Sequence, residues 1–411
     1  MSNLSYFVTR AERHVIKPSH RLFSVFDEFC FKSKNLYNVA NYVQRQYFFE
    51  TGKVYDFNSL NMLVRDKFGT ADYRSLPAQT ANQVIRTLDQ NWRSFIRTSY
   101  DFSKNPGKYK GKPKIPSYLP KNGRFVCVFT NQQCKLKDGY IHFPKVFNGL
   151  KVKTKIEGTF QQLRVVPKSG VIILEVIYLK EVPDFLPDDG HFLSIDLGLD
   201  NFATIANSRD TAHPVIVNGK GLKSYNRWFN KKLAHYKSVA KRMNNLDTTK
   251  RIQRLYAKRD RYIDNFMHQA SRFVVNLALK HQIPTIIVGY NEGWKQNSSL
   301  SKKVNQQFVQ IPYKKFVDML VYKAQDVGIS VYIVDESYTS GTSFLDNELP
   351  TKENYDKGRR ISRGLFRSNQ GYLINADLNS AYQIAKKVFP GLFLDGIEGV
   401  GLHPVRVNVV A

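Results

Sequence analysis

The chain has 411 residues, of which 42% are hydrophobic and 13% aromatic, so it holds enough apolar side chains for about two or three folded domains and is not a disordered protein. Its 62 Lys and Arg residues outnumber 34 Asp and Glu residues, and the resulting net charge of +28 favours a polyanionic partner such as nucleic acid. No apolar run reaches the roughly 18 residues of a membrane span and the sequence opens without a signal-peptide pattern, so we expect a cytoplasmic protein with no membrane partner.

Cysteine usage and short motifs exclude further classes. Cys30, Cys127 and Cys134 form no Cys-x-x-Cys pair, which argues against a disulfide framework and against a four-ligand zinc site. The sequence contains neither a phosphate-binding Gly-x-x-x-x-Gly-Lys-Ser/Thr loop nor a His-Glu-x-x-His pair. ATP-driven chemistry and zinc-protease chemistry therefore have no support.

The first half of the chain predicts a helical domain inserted into a small barrel. Residues 4–17 have the pattern of a strand, and from residue 19 apolar side chains recur at three- and four-residue steps, which predicts a helical bundle over 19–104. Short alternating segments separated by turn residues follow between Phe125 and Lys180 and predict further strands. We assign residues 1–18 and 105–183 to one β-barrel domain.

A basic segment separates the helical bundle from these later strands. Residues 104–124 contain seven basic residues, four prolines, three glycines and no acid, so they do not predict a packed core. The segment is either an extended loop that contacts phosphates or a solvated linker. The candidate phosphate ligands within it are Lys108, Lys110, Lys112 and Lys114.

The C-terminal part, residues 184–411, mixes strands with helices. Three strands are followed by a helical region, then by strand, helix, strand and helix, which is the order of an RNase H-like domain. The predicted strands are 192–197, 202–207, 214–218, 285–288 and 329–334; the predicted helices are 222–243, 249–281, 312–327 and one starting at Asp377. The whole chain is thus predicted to be an α+β multidomain protein.

Two carboxylates stand out in this part. Asp196 interrupts an apolar run that predicts a buried strand, where a charge is costly unless it is paired or binds a metal. Asp377 opens the last helix, where it either acts as a helix N-cap or is kept ionised by the helix dipole for catalysis. Scattered carboxylates of this kind suit two Mg²⁺ ions that hydrolyse a phosphodiester.

The segments around both carboxylates resemble TnpB (OrfB) proteins, the transposon-encoded, RNA-guided relatives of the type V CRISPR effectors. Residues 194–204 are similar to the first nuclease motif of that family, 375–382 to the third, and 336–340 to the stretch between the motifs. Weaker likeness occurs at Leu36–Asn38, Leu76–Pro77 and Lys110–Pro113. The resemblance implies a RuvC-type nuclease domain, a wedge β-barrel with an inserted helical recognition domain, a guide RNA, and a double-stranded DNA target next to a short motif read by the protein.

The chain departs from the family pattern in the second nuclease motif, whose strand usually ends in Glu. Here the strand ends in Gly289. Glu336, just past the next strand, would reach the same place if the two strands are parallel neighbours, because such strands lie about 4.8 Å apart. Glu292, three residues after Gly289, is the second candidate, and an inactive site is the third. We prefer Asp196, Glu336 and Asp377 as the catalytic and metal-binding set.

The second departure is that the zinc ribbon of many relatives is missing. The insert between the last two motifs, at about 337–374, contains no cysteine, so we expect no zinc. It contains instead a run of basic residues, which is either a grip on a DNA strand or a flexible solvated loop. The candidate ligands are Arg359, Arg360, Arg363 and Arg367.

We therefore expect a monomeric, Mg²⁺-dependent, RNA-guided DNA endonuclease. The first alternative is an RNA-guided DNA-binding protein that has lost cleavage, which Gly289 keeps open. The second is a transposase or transposase-associated DNA-processing protein, for which the sequence shows no strand-transfer nucleophile. The third is an RNase H-like nuclease that works without a guide.

Overall fold

The computed structural model describes residues 6–209, 213–291, 308–362, 364–392 and 404–410. Within these ranges the chain forms two compact units, one over Phe7–Glu181 and the other from Val182 onward together with the N-terminal Tyr6. The first unit joins the predicted barrel and helical segments, so their separation into two domains stays a prediction. No helix among the described residues is long and apolar enough to cross a membrane.

The strands of the first unit form two antiparallel sheets. The four-stranded sheet has the order β1-β7-β6-β2 and the three-stranded sheet the order β3-β4-β5. The predicted small barrel is therefore not confirmed. The strands are β1 (Tyr6–Ile16), β2 (Cys127–Thr130), β3 (Lys135–Lys137), β4 (Tyr140–His142), β5 (Lys151–Lys153), β6 (Thr159–Lys168) and β7 (Val171–Val182).

Helices fill the predicted bundle segment of this unit. They are α1 (Phe23–Thr51), α2 (Phe57–Leu63), α3 (Thr70–Arg74) and α4 (Ala78–Lys104), with a π-helical turn at Val64–Phe68 and 3₁₀ turns at Pro106–Lys108 and Lys145–Phe147. Most of the apolar positions that predicted the bundle are buried, Phe26 and Trp92 fully so, whereas Leu22, Val39 and Phe95 are half-buried. One continuous apolar core joins α1 and α4 to the sheet residues Phe129 and Val165.

The later part of the basic segment, residues 116–121, is held along α1. Asn38 donates from Nδ2 to the Leu119 carbonyl at 3.0 Å and accepts from the Leu119 amide at 2.8 Å. One turn away on either side of Asn38, the Asn41 side chain bonds the Pro116 carbonyl and Lys34 Nζ bonds the Lys121 carbonyl. These bonds satisfy backbone groups that a loop lying on a helix would otherwise bury unpaired.

A six-stranded sheet forms the centre of the second unit, in the order β12-β11-β8-β9-β10-β15. β8 pairs antiparallel with β9, and β9 pairs antiparallel with β10, whereas β11 lies parallel to β8 and β12 parallel to β11. These strands are β8 (Phe192–Leu197), β9 (Asn201–Asn207), β10 (Val215–Asn218), β11 (Thr285–Gly289), β12 (Ser330–Val334) and β15 (Val405–Val407). The five predicted strands are confirmed; β15, parallel to β10, was not predicted.

Helices of this unit pack on the sheet according to the alternation of its side chains. Leu193 and Ile195 of β8 belong to an apolar core with α6 and α7, whereas Phe192 belongs to a cluster with Ile384 of α8. The even-numbered positions of β8 therefore lie on the α8 side of the sheet. The helices are α5 (Lys220–Asn244), α6 (Lys250–Lys280), α7 (Tyr313–Gln325) and α8 (Ala376–Lys386).

The insert before α8 contains little regular structure. A 3₁₀ turn at Lys357–Arg359 is followed by a short antiparallel hairpin, β13 (Leu365–Arg367) and β14 (Leu373–Asn375). Phe344, Phe366 and Ile374 are buried in an apolar cluster with Tyr382 of α8. The insert is thus packed onto α8 by a small core of its own.

Candidate active site

Sheet register brings Asp196, Gly289 and Glu336 to one edge of the second unit. Ile195 of β8 pairs with Val288 of β11, so the next residues along, Asp196 and Gly289, lie side by side. Gly289 pairs in turn with Val334 of β12, and Glu336 follows two residues later. Two residues are one period of a strand, which keeps Glu336 in phase with Val334, a residue packed against the α8 cluster. All three positions therefore lie on the α8 side of the sheet.

Asp377 reaches the same edge from α8, which packs across β8, β9 and β11. Asn375 is the N-cap of α8, since its side chain accepts from the Asp377 and Leu378 amides at 3.1 Å each. Asp377 is therefore not the N-cap but a first-turn residue whose carboxylate is available for other contacts. Asn201 donates to Asp377 Oδ2 at 2.7 Å, and Arg360 donates to Oδ1 at 2.7 Å.

The other two carboxylates of this edge affect the ionisation of Asp196. Burial raises the pKa of Asp196 well above its usual range, and the charges of Asp377 and Glu336 raise it further, while Arg360 lowers it. Burial, with a contribution from Asp335, raises the pKa of Glu336 to about 7. Like charges this close disfavour simultaneous ionisation, so the site gains from any added cation.

Gly289 leaves the space that Glu336 uses. A Cβ atom at position 289 would lie 2.5 Å from Ile384 Cδ1 and 3.3 Å from Glu336 Cβ, so a larger residue there would displace one of them. The Glu336 amide donates to Asn291 Oδ1 at 2.9 Å, which fixes the backbone of Glu336 beside the end of β11. The rival candidate, Glu292, lies outside the described residues.

The oxygen atoms at this edge suit a hard divalent cation. Glu336 Oε2 is buried and, among the described residues, has no hydrogen-bond partner; the same holds for the hydroxyl of Thr204, which pairs with Asp196 across β8 and β9. Carboxylate and hydroxyl oxygens are the donors that Mg²⁺ prefers. Within the part of the chain that the structure describes, no three His, Cys, Asp or Glu side chains are close enough together to hold a metal ion as they stand. The Asp377 carboxylate accepts a hydrogen bond from Arg360.

The residues predicted to bind nucleic acid differ in their exposure and in their ion pairs. In the first unit, Lys108 is exposed and pairs with Asp101 at 2.8 Å, and the other three lysines of the basic segment are exposed as well. In the second unit, Arg367 is exposed on β13, whereas Arg359 is mostly buried against Glu348 at 2.5 Å. Arg363 lies outside the described residues.

Sequence reasoning missed a basic surface on α5. This helix contains eight Lys and Arg residues and no Asp or Glu, a signal that the sequence carries without any structure. Arg227, Lys231 and Arg242 are exposed, and at 100° per residue they fall within about 60° of one another on the helix. We call these three residues the α5 basic face. Lys223, nearby, pairs with Asp200 at 2.8 Å.

Two family models match parts of the chain that lie mostly in the second unit. One, OrfB of IS605, described as a probable transposase, matches residues 175–295 and contains Asp196 and Gly289. The other, the Cas12f1-like TNB domain, matches residues 313–384 and contains Glu336, Arg360 and Asp377. The candidate site thus draws one part from each matched region.

Individual relatives agree with these models. The chain is 24% identical over 393 residues to the TnpB-like protein ORF457 of Acidianus two-tailed virus, which covers 86% of this chain and 81% of that protein. It is 30% identical over 138 residues to the CRISPR-associated endodeoxyribonuclease Cas12f1 of Sulfoacidibacillus thermotolerans, covering 33% and 30% of the two chains. The chain is therefore similar to a TnpB-like protein over most of its length and to Cas12f1 over a third of it.

Two solved structures align with nearly the whole chain at low similarity. A Cas12f1–sgRNA–target DNA complex superposes with a TM-score of 0.37 at 14% identity and covers 94% of this chain and all of that one. The mini-RNA-guided endonuclease CRISPR-Cas_phi3 superposes with a TM-score of 0.43 at 12% identity, covering 95% and 94% of the two chains.

Proposed function

We propose that the protein is an RNA-guided DNA endonuclease that cleaves target DNA by two-metal phosphodiester hydrolysis. The observation that carries the proposal is the convergence of Asp196, Glu336 and Asp377 at one sheet edge, where a buried oxygen of Glu336 has no hydrogen-bond partner among the described residues. Three antiparallel strands continued by two parallel ones support an RNase H-like, RuvC-type assignment of the second unit. The names of the TnpB-like and Cas12f1 relatives point the same way.

The side chains at this site have three different proposed roles, namely metal binding, orientation of the metal ligands and charge compensation. Asp196, Glu336 and Asp377 would hold two Mg²⁺ ions, which when bound supply the Lewis acidity that activates water and stabilises the leaving oxygen. Asn201 orients the Asp377 carboxylate, and Asn291 fixes the backbone of Glu336. Arg360 brings a positive charge to the same edge, where it offsets the repulsion between the carboxylates and attracts a DNA phosphate.

The proposed partners follow from charge as well as from the relatives. A net charge of +28 suits a protein that holds a guide RNA and a DNA duplex along their phosphates and leaves sequence recognition to base pairing. In the first unit we propose that the exposed lysines of the basic segment contact phosphates, with the later part of the segment held along α1. We further propose a short DNA motif read next to the target, and a monomeric working state.

Cleavage of a plasmid tests the proposal directly. The protein is purified, its co-purifying RNA is sequenced, and a plasmid carrying a matching target is incubated with the complex and Mg²⁺. Guide-dependent cutting that stops on addition of a chelator supports the proposal. Bound RNA and target binding without any cutting would instead establish the second candidate, a guided DNA-binding protein, which Gly289 and the Arg360–Asp377 ion pair favour.

Mg²⁺ should stabilise the protein more at pH 8 than at pH 6. Because the pKa of Glu336 is raised to about 7, this ligand is protonated below that pH and must lose its proton to bind a cation. Without Mg²⁺ the sign is opposite: the raised pKa makes the folded protein lose stability as pH rises from 4.5 through 7. Thermal unfolding with and without Mg²⁺ at both pH values measures this. An equal Mg²⁺ effect at the two pH values would contradict it.

Neutralising the α5 basic face should weaken nucleic-acid binding without regard to sequence. In the triple variant Arg227→Gln, Lys231→Gln, Arg242→Gln, each lost phosphate contact should reduce the salt dependence of duplex affinity by about 0.9 in the log–log slope. Binding titrations at several salt concentrations measure the slope. The matched control, Arg227→Lys, Lys231→Arg, Arg242→Lys, retains the charge and should retain the slope. An unchanged slope in the glutamine variant would remove α5 from the binding surface.

A further inference from the structure

Residues 342–348 of the insert, all of them described, form neither helix nor strand, yet their first part is buried. Thr342 and Ser343 are fully buried and Phe344 is 1% exposed. Buried backbone outside regular structure needs hydrogen-bond partners from elsewhere. The buried backbone groups of this segment must therefore be paired with groups in other parts of the chain.

One face of α8 supplies several of these hydrogen-bond partners. Asn379, which is fully buried, donates to the Thr342 carbonyl at 2.8 Å and accepts from the Phe344 amide at 2.9 Å. Further along the helix, Gln383 Nε2 donates to the Glu348 carbonyl at 3.1 Å, and buried Lys386 donates to the same carbonyl at 3.4 Å. Residues spaced by four and three positions share one side of a helix, so this side of α8 is hydrogen-bonded to the segment from Thr342 to Glu348.

The Glu348 side chain supplies further hydrogen bonds and links three parts of the insert. Its Oε2 accepts from the Ser343 amide at 2.8 Å and from Arg359 Nη1 at 2.5 Å, and its Oε1 accepts from Asn369 Nδ2 at 3.3 Å. The side chains of Glu348 and Arg359 are only 15% and 18% exposed. An ion pair this sheltered is screened little by solvent, and removing one partner leaves the other charge buried.

Arg359 directly precedes Arg360, the residue whose guanidinium bonds Asp377 Oδ1. The chain between them and the buried segment is also tied locally, since the Asp356 amide donates to the Gly341 carbonyl at 3.0 Å and the Arg360 amide to the Lys357 carbonyl at 3.2 Å. With the Arg359 side chain anchored inward on Glu348, the following residue is directed to the carboxylate edge.

We infer that Glu348 is a positioning residue: through its ion pair with Arg359 it anchors the insert on α8 and holds Arg360 at Asp377. Arg359 then serves the architecture of the insert rather than contact with DNA. The part of this inference that concerns catalysis rests on the proposed function, whereas the anchoring does not.

The test compares Glu348→Gln with Glu353→Gln. The first variant keeps the size of the side chain and an oxygen for the Ser343 amide but loses the charge that pairs with Arg359. The second makes the same change at an exposed position of the same insert, where the carboxylate bonds Thr351. Three quantities are measured on the guide complex: the single-turnover cleavage rate, the target Kd, and amide hydrogen exchange in peptides covering 342–349 and 357–361.

Glu348→Gln should slow cleavage by about 10- to 100-fold, the loss expected when a charged group is displaced by about 1 Å, with an unchanged target Kd. Amide hydrogens in both peptides of Glu348→Gln should exchange faster than in the wild type. Glu353→Gln should change neither cleavage, nor target binding, nor exchange. The double variant with Arg359→Gln should be no slower than the worse single variant, because both changes break one ion pair.

Unchanged exchange in both peptides would overturn the anchoring, and faster exchange with unchanged cleavage would overturn the positioning role. If the wild-type complex does not cleave at all, the proposed function falls. Exchange in the same peptides still decides the anchoring in that case, since faster exchange in Glu348→Gln supports it and unchanged exchange refutes it.

Discussion

Replacement of Asp196 by Asn should abolish DNA cleavage, with a loss of at least about 10³-fold, and leave guide-dependent binding of target DNA intact. Asp196 is the residue of β8 that faces α8 at the edge where Glu336 and Asp377 lie, and the charges of both raise its pKa. Asn has nearly the same shape but cannot supply a negative ligand to a divalent cation. Single-turnover cleavage and a binding titration of the same complex measure the two effects.

The same variant carries an internal control on folding. Removing a buried carboxylate that is repelled by two others should not lower the melting temperature of the metal-free protein and should raise it above pH 7, where Glu336 is ionised. A loss of cleavage accompanied by a lower melting temperature would therefore indicate damage to the fold. Undiminished cleavage by a well-folded Asp196→Asn protein would refute the site itself.

Glu336→Gln should reduce cleavage by about 10²- to 10³-fold, because it removes a charged ligand while preserving volume and the backbone bond to Asn291. It also removes the buried oxygen that lacks a hydrogen-bond partner in the described structure. In addition, the variant should flatten the difference in Mg²⁺ stabilisation between pH 6 and pH 8, since the group with a pKa of about 7 is gone. Cleavage rates and thermal unfolding at both pH values test these expectations.

Asp335→Asn is the matched control for this second variant. Asp335 is the neighbouring carboxylate, but it is 59% exposed and pairs with Lys387 at 3.4 Å, so its loss should change cleavage less than about threefold. Equal losses in the two variants would reduce the role of Glu336 to a general effect of charge. If Glu336→Gln cleaves normally while Glu292→Gln does not, the third ligand is Glu292.

Much of the second unit could be predicted because its signals are local. The apolar runs at 192–197 and 285–288 and the spacing of apolar residues after Asp377 predicted elements that the structure contains as β8, β11 and α8. Strand periodicity and turn residues depend on neighbours a few positions away, and these are visible in one sequence.

Other features could not be predicted, because they depend on partners far away in the chain. Nothing near Asn38 signals that it bonds Leu119, and nothing near Glu348 signals that it pairs with Arg359 and Ser343. Polar residues of this kind have the sequence appearance of surface residues, and only packing shows that they are partly buried. The same reason explains why the order of the strands in the two sheets of the first unit could not be predicted, since strand pairing is set by long-range contacts.

The sequence by itself determined that this is a basic, mixed α and β protein with acidic residues at the ends of apolar strands and helices, because composition and periodicity are properties of the chain. Only the tertiary structure decided which of those acidic residues meet. The register of three parallel strands sets Asp196, Gly289 and Glu336 in a row, and the absence of a side chain at Gly289 lets Glu336 lean toward it. Distances between residues 140 and more positions apart are fixed by packing, which no local pattern encodes.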